Sequence, residues 1–221
     1  MPTNTERMYD FADVLGVEVV SSVPPGSSIL VSGPPMTGKE ALVLDILGDG
    51  VRDGEGAVAV TTGDGAGDWI DAIESRAAGV KGHQLGVIDC RDGADLDTDA
   101  YVHHVDSPGD LTGMGIGITN SFERLHDAGF DEGRLALSSL STMLTYTDQQ
   151  TVFKFCHVLG ERLDSAGFLG LFTIDSSAHD DQTMQVITQA FDGLVEIREV
   201  EGTREARVKG LRPDPSEWVT L

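Results

Sequence analysis

Lysine is scarce in this chain of 221 residues, in which 37 acidic side chains outnumber 15 basic ones. Only four of the basic residues are lysines, and the formal net charge is −22. Binding to the backbone of DNA or RNA requires clustered cations, so this composition disfavours a nucleic-acid partner. Repulsion between carboxylates weakens in molar salt, where the Debye length falls to ~3 Å. The composition is therefore typical of a halophile's cytoplasmic protein, with an ordinary acidic protein as the alternative.

Cysteine and long apolar runs are scarce as well. The two cysteines, Cys90 and Cys156, match no metal-binding or redox spacing, so we expect two reduced thiols in or near the core. No apolar run reaches the ~18–20 residues that a membrane-spanning helix needs. The first residues, MPTNTERMYD, show no basic region followed by an apolar block, so we expect no signal peptide. These absences predict a cytoplasmic protein without a membrane partner.

Short apolar runs alternate with helical patterns along most of the chain, which predicts a mainly parallel central sheet with helices on both faces. The predicted strands are residues 28–32, 57–62, 85–90, 135–140 and 169–174, and the predicted helices are 41–47, 68–78, 119–128, 152–166 and 180–191. Residues 193–211 predict an antiparallel hairpin that turns at Glu201 and Gly202. Residues 1–27 suggest a short helix, an edge strand and a turn. We expect one α/β domain spanning residues 1–221.

The segment Gly33–Glu40, GPPMTGKE, matches the phosphate-binding pattern G-x-x-x-x-G-K-[ST] at every position except the last. An apolar strand precedes it and a helix follows it, which is the structural context that such a loop requires. Glycines let the backbone N–H groups surround a phosphate, and the lysine adds a positive charge for the outer phosphates. The predicted nucleotide-binding residues are Gly33, Pro34, Pro35, Met36, Thr37, Gly38, Lys39, Glu40 and Ala41.

This order of elements resembles the RecA/KaiC-like P-loop ATPases, and more narrowly the single-domain KaiC-like proteins of haloarchaea. The resemblance covers residues 14–211. It is carried by GPPMTGK, by GRLALSSLSTML at residues 133–144, and by LFTI at 171–174 with FDGLV at 191–195. The resemblance implies a RecA-like fold, bound ATP, Mg²⁺ and assembly into a homo-oligomer.

Three positions depart from the active members of that superfamily. The resemblance implies a hydroxyl for Mg²⁺ after the P-loop lysine, a carboxylate after the second strand and an aspartate at the end of the fourth. Glu40, Thr62 and Ser138 stand at those positions. Phosphoryl transfer depends on the metal and on a positioned water, so we expect slow or absent hydrolysis. Candidate substitutes are Asp64, Glu40 and His179 for catalysis, and Glu40 and Ser138 for the metal.

The closing hairpin carries two further candidates, Arg207 and Lys209. In the RecA/KaiC-like ring proteins that this chain resembles, basic residues of the closing hairpin often lie in the nucleotide site of the neighbouring subunit. Alternate residues of a strand share a face, so these two side chains could reach one phosphate group together. The alternative is an exposed strand face that carries two of the few cations.

Other polar and aromatic residues fit structural roles better. We expect the pair His103–His104 in a solvated loop, a helix N-cap at Asp180 or Asp181, and core positions for Trp69 and Phe153 rather than adenine stacking. Trp218 is expected to cover the sheet edge.

Three classes of function remain open. The first is an ATP-binding regulatory or assembly protein with weak or absent hydrolysis, whose state an unidentified protein partner reads. The second is an active ATPase that uses substitute carboxylates. The third is a scaffold protein that keeps only the fold.

Overall fold

The computed structural model describes residues 8–10, 12–15, 22–91, 93 and 96–221. The strands are β1 (Tyr9–Asp10), β2 (Ser22–Val23), β3 (Ser28–Gly33), β4 (Gly56–Thr61), β5 (Leu85–Asp89), β6 (Tyr101–His104), β7 (Gly133–Ser138), β8 (Leu169–Asp175), β9 (Gly193–Val200), β10 (Thr203–Lys209) and β11 (Val219–Thr220). The α-helices are α1 (Ala12–Leu15), α2 (Lys39–Arg52), α3 (Ala66–Glu74), α4 (Leu111–Asp127), α5 (Leu140–Tyr146), α6 (Gln149–Ala166) and α7 (Asp181–Thr188).

Nine of these strands form one sheet in the order β11-β10-β9-β3-β8-β7-β4-β5-β6. The seven strands from β9 to β6 are parallel, and β10 and β11 extend the sheet antiparallel to them. The predicted α/β fold, with a mainly parallel sheet and a closing hairpin, is confirmed. Because β8 lies between β3 and β7, the end of the P-loop strand is directly beside the end of β8.

The two faces of the sheet are covered by different helices. Alternate residues of β3 point to opposite sides, so Ile29 and Val31 belong to one core and Leu30 to the other. The first core packs α2 and α3 against the sheet, and the second packs α4, α5, α6 and α7 against the other face. Burial on both faces explains why the central strands are continuous apolar runs.

Two helices differ from the sequence-based expectation. Helix α4 begins at Leu111, about two turns before residue 119, and the Asp110 carboxylate caps it by accepting from Gly113 N at 2.8 Å. Helix α5 was not predicted, because its Ser- and Thr-rich sequence has weak helical propensity. Leu140 and Met143 are fully buried, so packing stabilises this helix.

The expectation of a solvated loop at His103–His104 is wrong. Both residues belong to the edge strand β6, which pairs in parallel with β5. The His103 ring packs close to Gly117 of α4, while Nδ1 of His104 is buried without a hydrogen-bond partner. The sequence of residues 102–105 indicates only a short extended piece, and pairing with β5 makes it a strand.

The predicted edge strand at residues 17–20 lies outside the described residues. A short helix, α1, is present as expected, and the predicted turn precedes β3, with Ser27 N donating to the Pro24 carbonyl at 3.3 Å. In the part that is described, β1 pairs antiparallel with β2, and the Tyr9 hydroxyl lies 2.8 Å from the carbonyl of Gly167 and 3.0 Å from that of Gly133.

Both cysteines are free and buried, and burial raises the pKa of each thiol to about 12. Among the helices of the described ranges, none is long and apolar enough to span a membrane.

Candidate functional site: a P-loop cleft

The loop between β3 and α2 has the backbone shape of a phosphate cradle. Gly38 has φ +83°, and Met36, which is 97% exposed at the tip, has φ +61°. A Cβ on Gly33 would lie 2.6 Å from the carbonyl oxygen of Ile197, so only glycine fits there. Because α2 begins at Lys39, its free N–H groups and the positive end of its dipole face the loop.

A cleft of about 450 Å³ opens beside this loop, at the carboxyl ends of β3, β4, β7 and β8. It is lined by Met36, Gly38, Lys39, Glu40, Thr62, Gly63, Ser138, Ser139, Thr142, Thr173 and Asp175. The structure therefore brings Lys39, Glu40, Thr62 and Ser138 together, as the sequence pattern suggested.

Lys39 is already engaged inside the cleft. Its Nζ lies 2.6 Å from the carbonyl oxygen of Pro34 and 2.8 Å from Oδ1 of Asp175, and the side chain is almost fully buried. Thr37 closes the loop by donating from Oγ1 to the same Pro34 carbonyl at 2.8 Å. Sequence reasoning missed Asp175 as a site residue, because its place beside Gly33 depends on the strand order.

Two of the positions that depart from the ATPase pattern contact each other. Ser138, at the end of β7, donates from Oγ to Oε2 of Glu40 at 2.9 Å. Thr173 of β8 donates to the Ser138 hydroxyl at 3.3 Å. The Glu40 carboxylate thus reaches from the first turn of α2 across to the end of β7.

Thr62, the third departing position, is held by the backbone of β7. Its N–H and its hydroxyl both donate to the Ser138 carbonyl, at 2.8 and 3.0 Å, and the hydroxyl accepts from Ser139 N at 2.9 Å. The peptide bond between Ser138 and Ser139 is cis. Thr62 therefore joins β4 to β7 and carries no charge into the cleft.

Asp64 and His179 are not among the residues that line the cleft. Asp64 is exposed in the loop after β4, and its carbonyl accepts from Oγ1 of Thr61 at 2.8 Å. His179 Nε2 lies 2.8 Å from Oγ of Ser141, which accepts from Asp175 N at 2.9 Å. His179 is thus connected to the backbone of Asp175 at the border of the cleft.

Asp180 acts as the N-cap of α7, as expected, and accepts from Thr183 N at 2.8 Å. That hydrogen bond lowers the pKa of Asp180 below its ordinary value. Neither aromatic candidate lines the cleft: Trp69 is buried in the α2–α3 core, and Phe153 packs against the core on the opposite face.

The hairpin cations Arg207 and Lys209 both form ion pairs with the Glu196 carboxylate. Arg207 Nε contacts Oε2 of Glu196, and Lys209 Nζ lies 2.9 Å from the same oxygen. Burial alone would raise the pKa of Glu196, but hydrogen bonds from the two cations lower it below its ordinary value. The Trp218 ring covers this face of the hairpin, with the guanidinium carbons of Arg198 and Arg207 at 3.9 and 4.6 Å from its centroid.

The cleft offers hydrogen-bond donors that suit phosphate and oxygen ligands that suit a divalent cation. The cradle offers N–H groups to phosphate, and the Glu40 carboxylate with the Ser138 hydroxyl offers the oxygen ligands that Mg²⁺ prefers. Within the described ranges, no group of three or more His, Cys, Asp or Glu residues could hold a metal by itself. A cation here would therefore need phosphate oxygens as additional ligands.

The backbone is similar to the crystal structure of a KaiC-like protein from the hyperthermophilic archaeon Pyrococcus horikoshii OT3, with a TM-score of 0.65 and 13% sequence identity. The likeness covers 97% of this chain and 93% of that one, and it establishes a RecA/KaiC-like fold. No curated protein matches the sequence. The chain belongs to the family described as "Family of unknown function (DUF7504)", whose model matches residues 26–197.

Proposed function

We propose that this chain is an ATP-binding regulatory or assembly protein with weak or absent hydrolysis. The observation that carries the proposal is the contact between Glu40 and Ser138 beside an intact cradle. The loop, Gly38 and Lys39 keep what phosphate binding needs, whereas the positions that serve hydrolysis in the resembling ATPases form hydrogen bonds within the protein.

ATP can bind in the cleft only if the negative charges of its carboxylates are neutralised. Asp175 and Glu40 place two carboxylates near the site of the phosphates, and only Lys39 offsets them among the residues lining the cleft. A carboxylate next to a polyphosphate is strongly repelled in a partly buried site. Mg²⁺ held by the Glu40 carboxylate would remove that repulsion, so the proposed ligand is ATP together with its cation.

Turnover requires groups that the cleft lacks at the expected places. Thr62 uses both its N–H and its hydroxyl on the β7 backbone and cannot activate a water. Ser138 replaces the aspartate that would support the metal. Because phosphoryl transfer depends on charge neutralisation and positioning, these losses act on the same step.

In this proposal, nucleotide binding stabilises one conformation or assembly of the protein. A ligand that binds only the native state stabilises it by ~2.7 kcal/mol at one hundred times its dissociation constant. We propose that an unidentified protein partner, or a second copy of this chain, reads the bound state. In a homo-oligomer, Arg207 and Lys209 are the candidates to reach a neighbour's phosphates, after leaving Glu196.

A second candidate, an active ATPase, is favoured by one observation: the Asp175 carboxylate lines the cleft. Glu40, Asp64 and His179 are the other substitutes. Steady phosphate release in the wild type that is lost in Lys39→Ala would establish this activity.

The proposal is tested by thermal denaturation in molar KCl with Mg²⁺ and ATP, ADP or GTP. ATP should raise the Tm of the wild type and of Lys81→Ala, which changes an exposed lysine outside the cleft, but not that of Lys39→Ala. A wild-type Tm that does not respond to any of the three nucleotides would leave only the scaffold function.

A further inference from the structure

An arginine of the closing hairpin lies directly against the P-loop of its own chain. A Cβ built on Gly38 would be 2.2 Å from Nη1 of Arg204, so the guanidinium covers Gly38 at van der Waals distance from its backbone. Gly38 is the residue before α2, where the phosphate-binding N–H groups begin. The guanidinium therefore lies beside the place where a bound phosphate group would lie.

Strand alternation explains how Arg204 reaches this position. Ala206 and Val208 of β10 are buried against the α2 side of the sheet, and Arg204 shares their face because it lies two residues earlier. Arg207 and Lys209 are on the opposite face of the same strand. The hairpin's cations are thus divided, with one directed to the P-loop of its own chain and two directed away from it.

The length of the hairpin places its tip beside the loop. Pairing between β9 and β3 ends at Glu196 and Ser32, but β9 continues to Val200 and turns into β10. The last residues of β9 and the first of β10 therefore extend beyond the carboxyl edge of the sheet, next to Gly33–Lys39. This is the edge at which the cleft opens.

The Arg204 guanidinium makes no ion pair within the described part of the chain. Arg198 and Arg207, on the other face, are paired with Glu205 and Glu196. Glu199 is the register partner of Arg204 across the hairpin, yet the arginine lies over Gly38 instead. Since Lys39 is offset by Asp175, Arg204 is the cation nearest the loop that no described carboxylate neutralises.

We propose that Arg204 binds the outer phosphates of the nucleotide held by the P-loop of the same chain. The inference rests on the proposed function and adds a cation that acts in cis. A guanidinium can donate two parallel hydrogen bonds to phosphate oxygens, which is stronger and more directional than a point charge. Arg204 is not among the residues that line the cleft, but from its place over Gly38 it supplies positive charge beside a cleft in which Glu40 and Asp175 outweigh Lys39.

The test is calorimetric titration of ATP and AMP with Mg²⁺ in molar KCl. Arg204→Gln should weaken ATP binding about tenfold, because it removes a charge-assisted pair of hydrogen bonds. It should change AMP binding less than twofold or so, since AMP has no outer phosphates. Arg204→Lys should recover part of the loss. Arg198→Gln, an equal charge change on the opposite face, should bind ATP like the wild type.

The Tm of the unliganded Arg204→Gln protein should equal that of the wild type, because the side chain is exposed and makes no ion pair. Equal ATP affinity in the wild type and Arg204→Gln would overturn the inference while leaving the proposed function intact. An equal loss in Arg198→Gln would also overturn it, because the effect would then be one of net charge. A wild type that binds no ATP would refute the proposed function, and the inference with it.

Discussion

Lys39 and Asp175 form an ion pair in the cleft, with Nζ 2.8 Å from Oδ1. The lysine side chain is 8% exposed and the aspartate 31%, so the pair is only partly screened by water. The two residues meet because β8 pairs with β3 and places Asp175 beside Gly33. A phosphate that enters the cradle must compete with this carboxylate for the lysine.

Asp175→Asn should therefore strengthen ATP binding about fivefold, because Lys39 becomes available without losing its charge. Titration of ATP in the presence of Mg²⁺ measures the change. Asp180→Asn is the matched control, since asparagine keeps the N-cap of α7 and the residue lies outside the cleft. Weaker binding in Asp175→Asn would contradict this prediction and would indicate that Asp175 holds the cation.

Glu40→Ser combined with Ser138→Asp should increase the rate of ATP hydrolysis at least about tenfold over the wild type. The double variant replaces the Glu40–Ser138 hydrogen bond with a hydroxyl for Mg²⁺ and a carboxylate behind it. Phosphate release under saturating ATP measures the rate, and the same double change with Lys39→Ala is the negative control. An unchanged rate would show that the missing carboxylate at Thr62 limits turnover by itself.

Glu55→Gln should lower the free energy of unfolding by about 3 kcal/mol, because the buried guanidinium loses its bidentate carboxylate and keeps only Asp49, 3.9 Å away, as a charge partner. Arg134 is 2% exposed and donates from Nε and Nη2 to the two oxygens of Glu55, at 2.7 and 3.0 Å. Urea denaturation in molar KCl measures the loss. Glu205→Gln removes the partner of the more exposed Arg198 and should cost less than about 1 kcal/mol. Similar losses in the two variants would contradict the prediction.

The hairpin pair at Glu196 should make stability depend on acid pH. The pKa of Glu196 is lowered below its ordinary value of 4.5, since hydrogen bonds from Arg207 and Lys209 outweigh the effect of burial. Its stabilising contribution is therefore fully present above pH 4.5 and is lost as the pH falls through the lower folded-state pKa. The difference in unfolding free energy between the wild type and Glu196→Gln should shrink over that range. A difference that stays constant with pH would argue against a titrating pair.

Salt should stabilise the folded protein. With a net charge of −22, the native state is strained by repulsion between carboxylates that counterions screen. The Tm should rise with KCl, most steeply at low salt, because the Debye length shrinks fastest there. Differential scanning calorimetry over a KCl series measures the curve, and a flat curve would remove the argument for adaptation to salt.

Local patterns predicted the parts of the fold that local chemistry decides. The apolar runs of β3, β4, β7 and β8 were recognisable because strands buried on both faces have little room for polar residues. The P-loop was recognisable because glycine is needed at Gly38, where the backbone is left-handed, and at Gly33, where a side chain would meet the carbonyl of Ile197. Helix α5 was not, since neighbouring elements stabilise it more than its own sequence does.

The sequence by itself determined that this chain carries the pattern of a phosphate-binding loop, and that Glu40, Thr62 and Ser138 stand where the ATPases it resembles carry other groups. Only the tertiary structure decided what those residues touch: Asp175 beside Lys39, Ser138 beside Glu40, and Arg204 over Gly38. The physical reason is that these contacts depend on the order of strands in the sheet and on the face that each side chain takes. Both are set by long-range packing, which a local pattern of residues does not specify.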